Sequence, residues 1–129
     1  MDEHPNVKVL HRLAEAFANM PDSMAAMEEL IADDVEWHEI GRDEPTMGKD
    51  ALRQRSMEAF GDVDIKADEH DAVANGTHGV QLMNVTATKP DGSSLQYRTA
   101  EIYHMKDGKI TARWAFSDDT ARIMEFFGS

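Results

Sequence analysis

Residues 97–119, YRTAEIYHMKDGKITARWAFSDD, decide the fold. Asp107-Gly108 is a hairpin signal, because the favoured two-residue turn needs positive φ at both positions. The flanking runs alternate apolar with polar, which predicts strands over 95–106 and 109–117. Counted from that turn, Met105 faces Ile110, Tyr103 faces Ala112, Glu101 faces Trp114, Thr99 faces Phe116 and Tyr97 faces Asp118. Opposed residues share a face of the sheet. One face then carries Tyr97, Tyr103, Met105, Ile110, Trp114 and Phe116 together with two carboxylates, Glu101 and Asp118. The other carries Arg98, Ile102, His104, Thr111, Arg113 and Ala115. The first is the expected core face.

Upstream, residues 63–74 and 77–88 read as a second pair of strands joined by Asn75-Gly76, and Pro90-Asp91-Gly92 turns the chain between the two hairpins. Nearer the N-terminus the period becomes helical. Val7, Leu10, Ala14 and Phe17 form one stripe behind Pro5, and NMPDS breaks it, with Asp22 or Ser23 placed to cap the next helix. Met24, Met27, Leu30 and Ile31 mark that second helix. VEWHEI (35–40) is a short strand, GRDEPTMG a loop, and Leu52, Ser56, Ala59 and Phe60 one face of a third helix stopped by Gly61. A last helix holds Ile123, Met124, Phe126 and Phe127. Helices first and an antiparallel meander after them predict an α+β domain over 1–129. Its sheet is expected to be cone-shaped, strongly curved and mostly antiparallel, with the N-terminal helices covering the concave face over a cavity.

Composition narrows the function. The chain of 129 residues has no cysteine, which removes disulfide scaffolds, thiolate metal sites and thiol nucleophiles. Its 13 basic against 25 acidic residues give a net charge of −12, the wrong sign for a phosphate-backbone partner, so no nucleic acid is expected. No apolar run approaches the about 20 residues of a membrane helix, and MDEHPNVKVLH lacks the pattern of a secretory leader. A cytoplasmic protein with no membrane partner is expected. No histidine or carboxylate spacing suggests a metal and no glycine-rich loop a nucleotide, so neither metal nor cofactor is expected.

A carboxylate among aromatics is costly unless it is paired or protonated. Asp118 is therefore either a cavity residue or the N-cap of the last helix. Glu101 is either a site residue or the partner of an arginine such as Arg53 or Arg55. His78 shares a strand face with Val80 and Leu82 and is placed to approach the cavity.

ADDVEWHEIG…MGKDALRQ followed by YHMKDGKITARWAFSDD resembles the SnoaL-like group of the nuclear-transport-factor-2-like superfamily, which includes ketosteroid isomerases, polyketide cyclases and limonene-epoxide hydrolases. The resemblance implies a base at the end of the first strand. Counting back from Gly41 gives His38 for it, and counting forward from Ala32-Asp33-Asp34 gives Glu39. It also implies an acid/base aspartate where Asp118 ends the last strand. The isomerase tyrosine of the first helix has no counterpart before Tyr97, and the Arg–acid pair of the epoxide hydrolases is replaced by Thr99 and Glu101. His38, Glu101 and Asp118 are thus the catalytic candidates, and Trp37, Tyr97, Tyr103, Trp114 and Phe116 the candidate walls for an apolar small molecule. Two classes remain: a cofactor-free acid/base isomerase, cyclase or hydrolase, and a non-catalytic ligand-binding or dimerisation domain. A homodimer is expected through the convex face, from Ile102, Ala100, Ala115, Arg98, Arg113 and His104, with Met83 and Val85 as neighbours.

Overall fold

The computed structural model describes residues 4–19 and 22–128, and of Ala59 and Phe60 the backbone alone. Three helices precede the meander: α1 (Pro5–Phe17), α2 (Met24–Glu29) and α3 (Lys49–Phe60). The strands are β1 (Ile31–Trp37), β2 (Thr46–Met47), β3 (Asp64–Ala74), β4 (His78–Thr88), β5 (Ser94–Lys106) and β6 (Lys109–Ser117), and α4 (Thr120–Phe127) closes the chain. They form one curved, unclosed sheet in the order β2-β1-β6-β5-β4-β3. Every pairing is antiparallel except β1 with β6, which is parallel. The expected α+β architecture, with N-terminal helices on the concave face, is the one observed. Among the described residues no helix is long and apolar enough to cross a membrane.

Local chemistry explains most of the elements. Pro5 stands at the first position of α1, where its missing N–H costs nothing, and the His4 ring accepts from Asn6 N. Asp107 and Gly108 take φ of 53° and 76°, the turn their sequence announces. Asn75 turns the other hairpin, its side-chain oxygen accepting from Thr77 N and His78 N. Gly79 lets α1 approach the sheet, since a Cβ there would lie 2.9 Å from Leu10 Cδ1.

The ends of β1 and the capping of α2 differ from expectation: β1 stops at Trp37, so His38, Glu39 and Ile40 of VEWHEI lie past the strand. Ile31 belongs to β1 rather than to α2, because it pairs with Ile110 of β6 in the parallel ladder and is fully buried there. Ser23 stands at the α2 cap, but its hydroxyl donates to Ala16 O instead of capping; part of the NMPDS break lies outside the described residues.

One irregularity reorganises the sheet. Met105 faces Ile110 as expected, but the next pair is His104 with Ala112, so Thr111 is the extra residue of a β-bulge. Beyond it Tyr103 faces Arg113, Glu101 faces Ala115 and Thr99 faces Ser117. A one-residue slip exchanges the two faces. Arg113 and Ala115 therefore turn inward, while Trp114 and Phe116 turn to the convex face, where Phe116 is 55% exposed. Met83 and Val85, expected near the convex interface, are also buried on the concave side, opposite Thr99 and Tyr97. The packed core lies beneath α1, where Leu10, Leu13, Ile31, Tyr103 and Ile110 meet. Toward the other end of the sheet the two layers separate.

Candidate functional site

That separation is a cavity of about 420 Å³ between the helices and the concave face. Its walls are apolar and adaptable: Phe17, Trp37 and Phe127 supply rings, and Met24, Met27, Met57 and Met124 supply thioethers. The loop after β1 and α4 meet over it; a Cβ on Gly41, whose φ is 82°, would lie 2.5 Å from the Met124 sulfur.

Polar groups run along one wall. Glu101 is 4% exposed and fully engaged. Its Oε1 accepts from Arg113 Nη2 at 2.8 Å and Nε at 3.1 Å and lies 3.0 Å from the Tyr103 hydroxyl, while Oε2 accepts from Thr99 Oγ1 at 2.9 Å. Behind the pair, Gln81 Nε2 donates to Leu10 O and Glu69, which fixes the amide so that its oxygen faces the Tyr103 hydroxyl at 3.0 Å. Glu69 in turn contacts His11. Burial alone would lower the Arg113 pKa, but the adjacent Glu101 charge, with Tyr103 and Glu39, overrides it and holds the guanidinium above its ordinary value. Burial, reinforced by Glu101, pushes Tyr103 well above the ordinary phenol range and Tyr97 up to about 12. Tyr97 lines the cavity as a neutral donor, and its hydroxyl has no hydrogen-bond partner among the described residues.

Arg113 also stacks on Trp37 at 4.6 Å and donates through Nη1 to His38 O. This ties the end of β1 to the cavity floor. With Val35 and Trp37 inward, His38 points outward and Glu39 inward. Glu39 Oε2 accepts from Arg42 Nη1 at 2.7 Å and Arg55 Nε at 3.0 Å; its Oε1 accepts from no described residue.

The eight sequence candidates therefore separate. Trp37, Tyr97 and Glu101 line the cavity, and Tyr103 stands behind Glu101 without lining it. His38, Trp114 and Phe116 lie on the convex face. There the His38 ring stacks on Trp114 at 4.9 Å, its Nε2 meets Glu36 Oε2 at 2.7 Å, and His104 packs on the same indole at 4.8 Å. His78 sits beside His104 on that face rather than near the cone. Asp118 lies in a separate outer groove, half exposed, where the Arg98 hydrogen bond at 2.8 Å holds its carboxyl below the usual range. The cap of α4 is Asp119, which accepts from Arg122 N. The expected arginine partners of Glu101 are engaged elsewhere, Arg53 with Glu28 and Arg55 with Glu39.

Arg113 escaped the strand-parity argument. The signal for it was Glu101 itself, because uninterrupted alternation left that carboxylate buried with no cation. Shifting β6 by one residue supplies one.

The profile of the SnoaL-like domain matches residues 10–113. The chain belongs to the SnoaL-like family. No protein of curated function matches its sequence. Among solved structures it is similar to a nuclear-transport-factor-2-like protein of unknown function from Burkholderia pseudomallei, at 16% identity and TM-score 0.82, covering 98% of this chain and 99% of that one. It is similar to the Δ5-3-ketosteroid isomerase of Mycobacterium sp. at 19% identity and TM-score 0.73, over 87% and 92% of the chains. It is also similar to an epoxide hydrolase of the limonene type from M. tuberculosis, at 17% and 0.73, over 88% and 79%. At these identities the likeness establishes the fold.

Proposed function

We propose that this SnoaL-like domain binds an apolar, oxygen-bearing small molecule in its cavity. The observation that carries the reading is the Tyr97 hydroxyl, a neutral donor without a partner among the described residues, set in walls of aromatic and thioether side chains. A few convergent polar groups in an apolar cleft are the usual form of a ligand site. Glu101 fits a structural role here, since both its oxygens are already engaged with Arg113, Tyr103 and Thr99. Thermal denaturation against a panel of polycyclic ketones and quinones tests the proposal. At least one compound should raise Tm, and Ala67→Trp, which fills the cavity from β3, should abolish the rise. No rise with any compound, or a rise that survives the filling, would refute it.

A second reading, proton transfer of the kind used by isomerases and cyclases, is favoured by one feature: Glu39 lines the cavity with one carboxylate oxygen unengaged. Its test is solvent deuterium exchange at the α-carbon of a bound ketone, which Glu39→Gln should abolish. Self-association through the convex face is part of the proposal. In register, Val73, Val80, Ile102 and Trp114 form one row across that face, with Leu82, Ala100 and Phe116 in the next. Val73 and Phe116 are more than half exposed, an apolar surface better suited to an interface than to water. Sedimentation at micromolar concentration should give the mass of two chains, reduced to one by Phe116→Glu; a wild-type monomer would exclude the dimer.

A further inference from the structure

We propose that the cavity's ligand carries an anionic oxygen on its apolar body, as a carboxylate, enolate or phenolate does, and that Arg42 and Arg55 receive it. This rests on the ligand-binding reading above and narrows its chemical class. The argument is a balance of donors and acceptors. A guanidinium has five N–H donors. Arg42 and Arg55 each make one side-chain hydrogen bond among the described residues, and both go to the same oxygen, Glu39 Oε2. Their side chains are 40% and 31% exposed, so their remaining N–H groups are open to solvent or ligand. Tyr97 adds another unengaged donor. Acceptors are scarcer: all the donors around Glu101 are already paired to it, and Glu39 has one free oxygen.

Charge points the same way. Along the wall the order is Glu101, Arg113, Glu39, then Arg42 and Arg55, three guanidiniums against two carboxylates. Asp62, the remaining carboxylate of the lining, is exposed, where water screens it. The chain as a whole carries −12, so its general field repels anions. Preference for an anion must therefore come from the cavity arginines. The field of the rest fades over a Debye length of about 8 Å at physiological salt.

The probes are two dyes of one ring skeleton: 8-anilinonaphthalene-1-sulfonate, which is anionic, and N-phenyl-1-naphthylamine, which lacks the sulfonate. Each is titrated by fluorescence into the full chain, with Ala67→Trp as the control that binding is in the cavity. The anionic dye should bind at least about tenfold tighter, the scale of one hydrogen bond to a charged group. Arg42→Gln and Arg55→Gln should each remove most of that advantage while leaving the neutral dye's Kd within twofold, which also shows that the variants fold. Rising salt should weaken the anion alone. Equal Kd values for the two dyes, or tighter binding of the neutral one, would overturn the inference and leave the ligand-binding reading intact. Failure of both dyes, or binding of both to Ala67→Trp unchanged, would overturn the two together.

Discussion

Replacing Arg113 by methionine isolates the bulge. The variant leaves Glu101 4% exposed, with Thr99 and Tyr103 as donors and no cation. Breaking a buried pair from one side costs about 3–5 kcal/mol. The cavity beside Glu101 admits solvent, so the lower end applies, about 3 kcal/mol of a total on the order of 5–15 kcal/mol. For a chain of this length each kcal/mol is worth about 4 °C, so Tm should fall by about 12 °C. Adding Glu101→Gln to the variant should recover most of the loss, because no uncompensated charge then remains. Urea unfolding followed by circular dichroism measures both the loss and the recovery. If Arg113→Met costs under about 1 kcal/mol while Trp114→Ser costs more than about 3 kcal/mol, the bulge is absent and uninterrupted alternation holds.

The tyrosines give a second prediction. The chain has two, Tyr97 and Tyr103, both with pKa raised chiefly by burial. The folded state keeps its phenol protons where the unfolded state loses them. Their contribution to stability is therefore complete below pH 10 and is lost as pH rises toward 12, by about 2–3 kcal/mol for Tyr97. Phenolate absorbance at 295 nm should appear only together with unfolding; a half-complete rise near pH 10 in a folded chain would contradict the burial. At the start of α4, Asp119→Ala should cost about 1 kcal/mol as a lost cap, whereas Asp118→Asn should change neither Tm nor dye binding. A large effect of Asp118→Asn on binding would place that residue back in the site.

The elements legible in the sequence were those written in turn chemistry and in period. Asp107-Gly108 set the second hairpin, Asn75 turned the first, and the spacing of Leu10, Ala14 and Phe17 placed α1 on the sheet. Of the candidates that line the cavity, Tyr97 and Glu101 lie on β5, whose own alternation is unbroken, and Trp37 ends β1, whose register with β6 shifts between Ile31 and Glu36. Trp114, Phe116 and Asp118, which do not line it, lie beyond Thr111, and His38 turns outward just past the end of β1. Hydrophobicity could not reveal the slip, because Ile110, Ala112, Trp114 and Phe116 make a cleaner apolar stripe than the residues that are inward. Glu39 was within reach as one of two readings of the strand end, and the observed parity of β1 selects it as the inward residue. Arg42 and Arg55 were not, since a loop and a helix meet at Glu39 only after the chain has folded.

The extra residue at Thr111 makes the lining of the cavity a matter of phase. Were the same residues of β6 paired without the bulge, a floor of guanidinium and small side chains would become one of indole and phenyl, and Arg113 would be carried to the outside. Deleting Thr111 itself would do the opposite of this: Ala112 would stay opposite His104 and Arg113 opposite Tyr103, so the lining would keep its present faces. In such a scaffold the polarity of the interior is set by whether one residue is held out of the ladder, and the chain can lose that residue without exchanging its ionic pocket for an aromatic one.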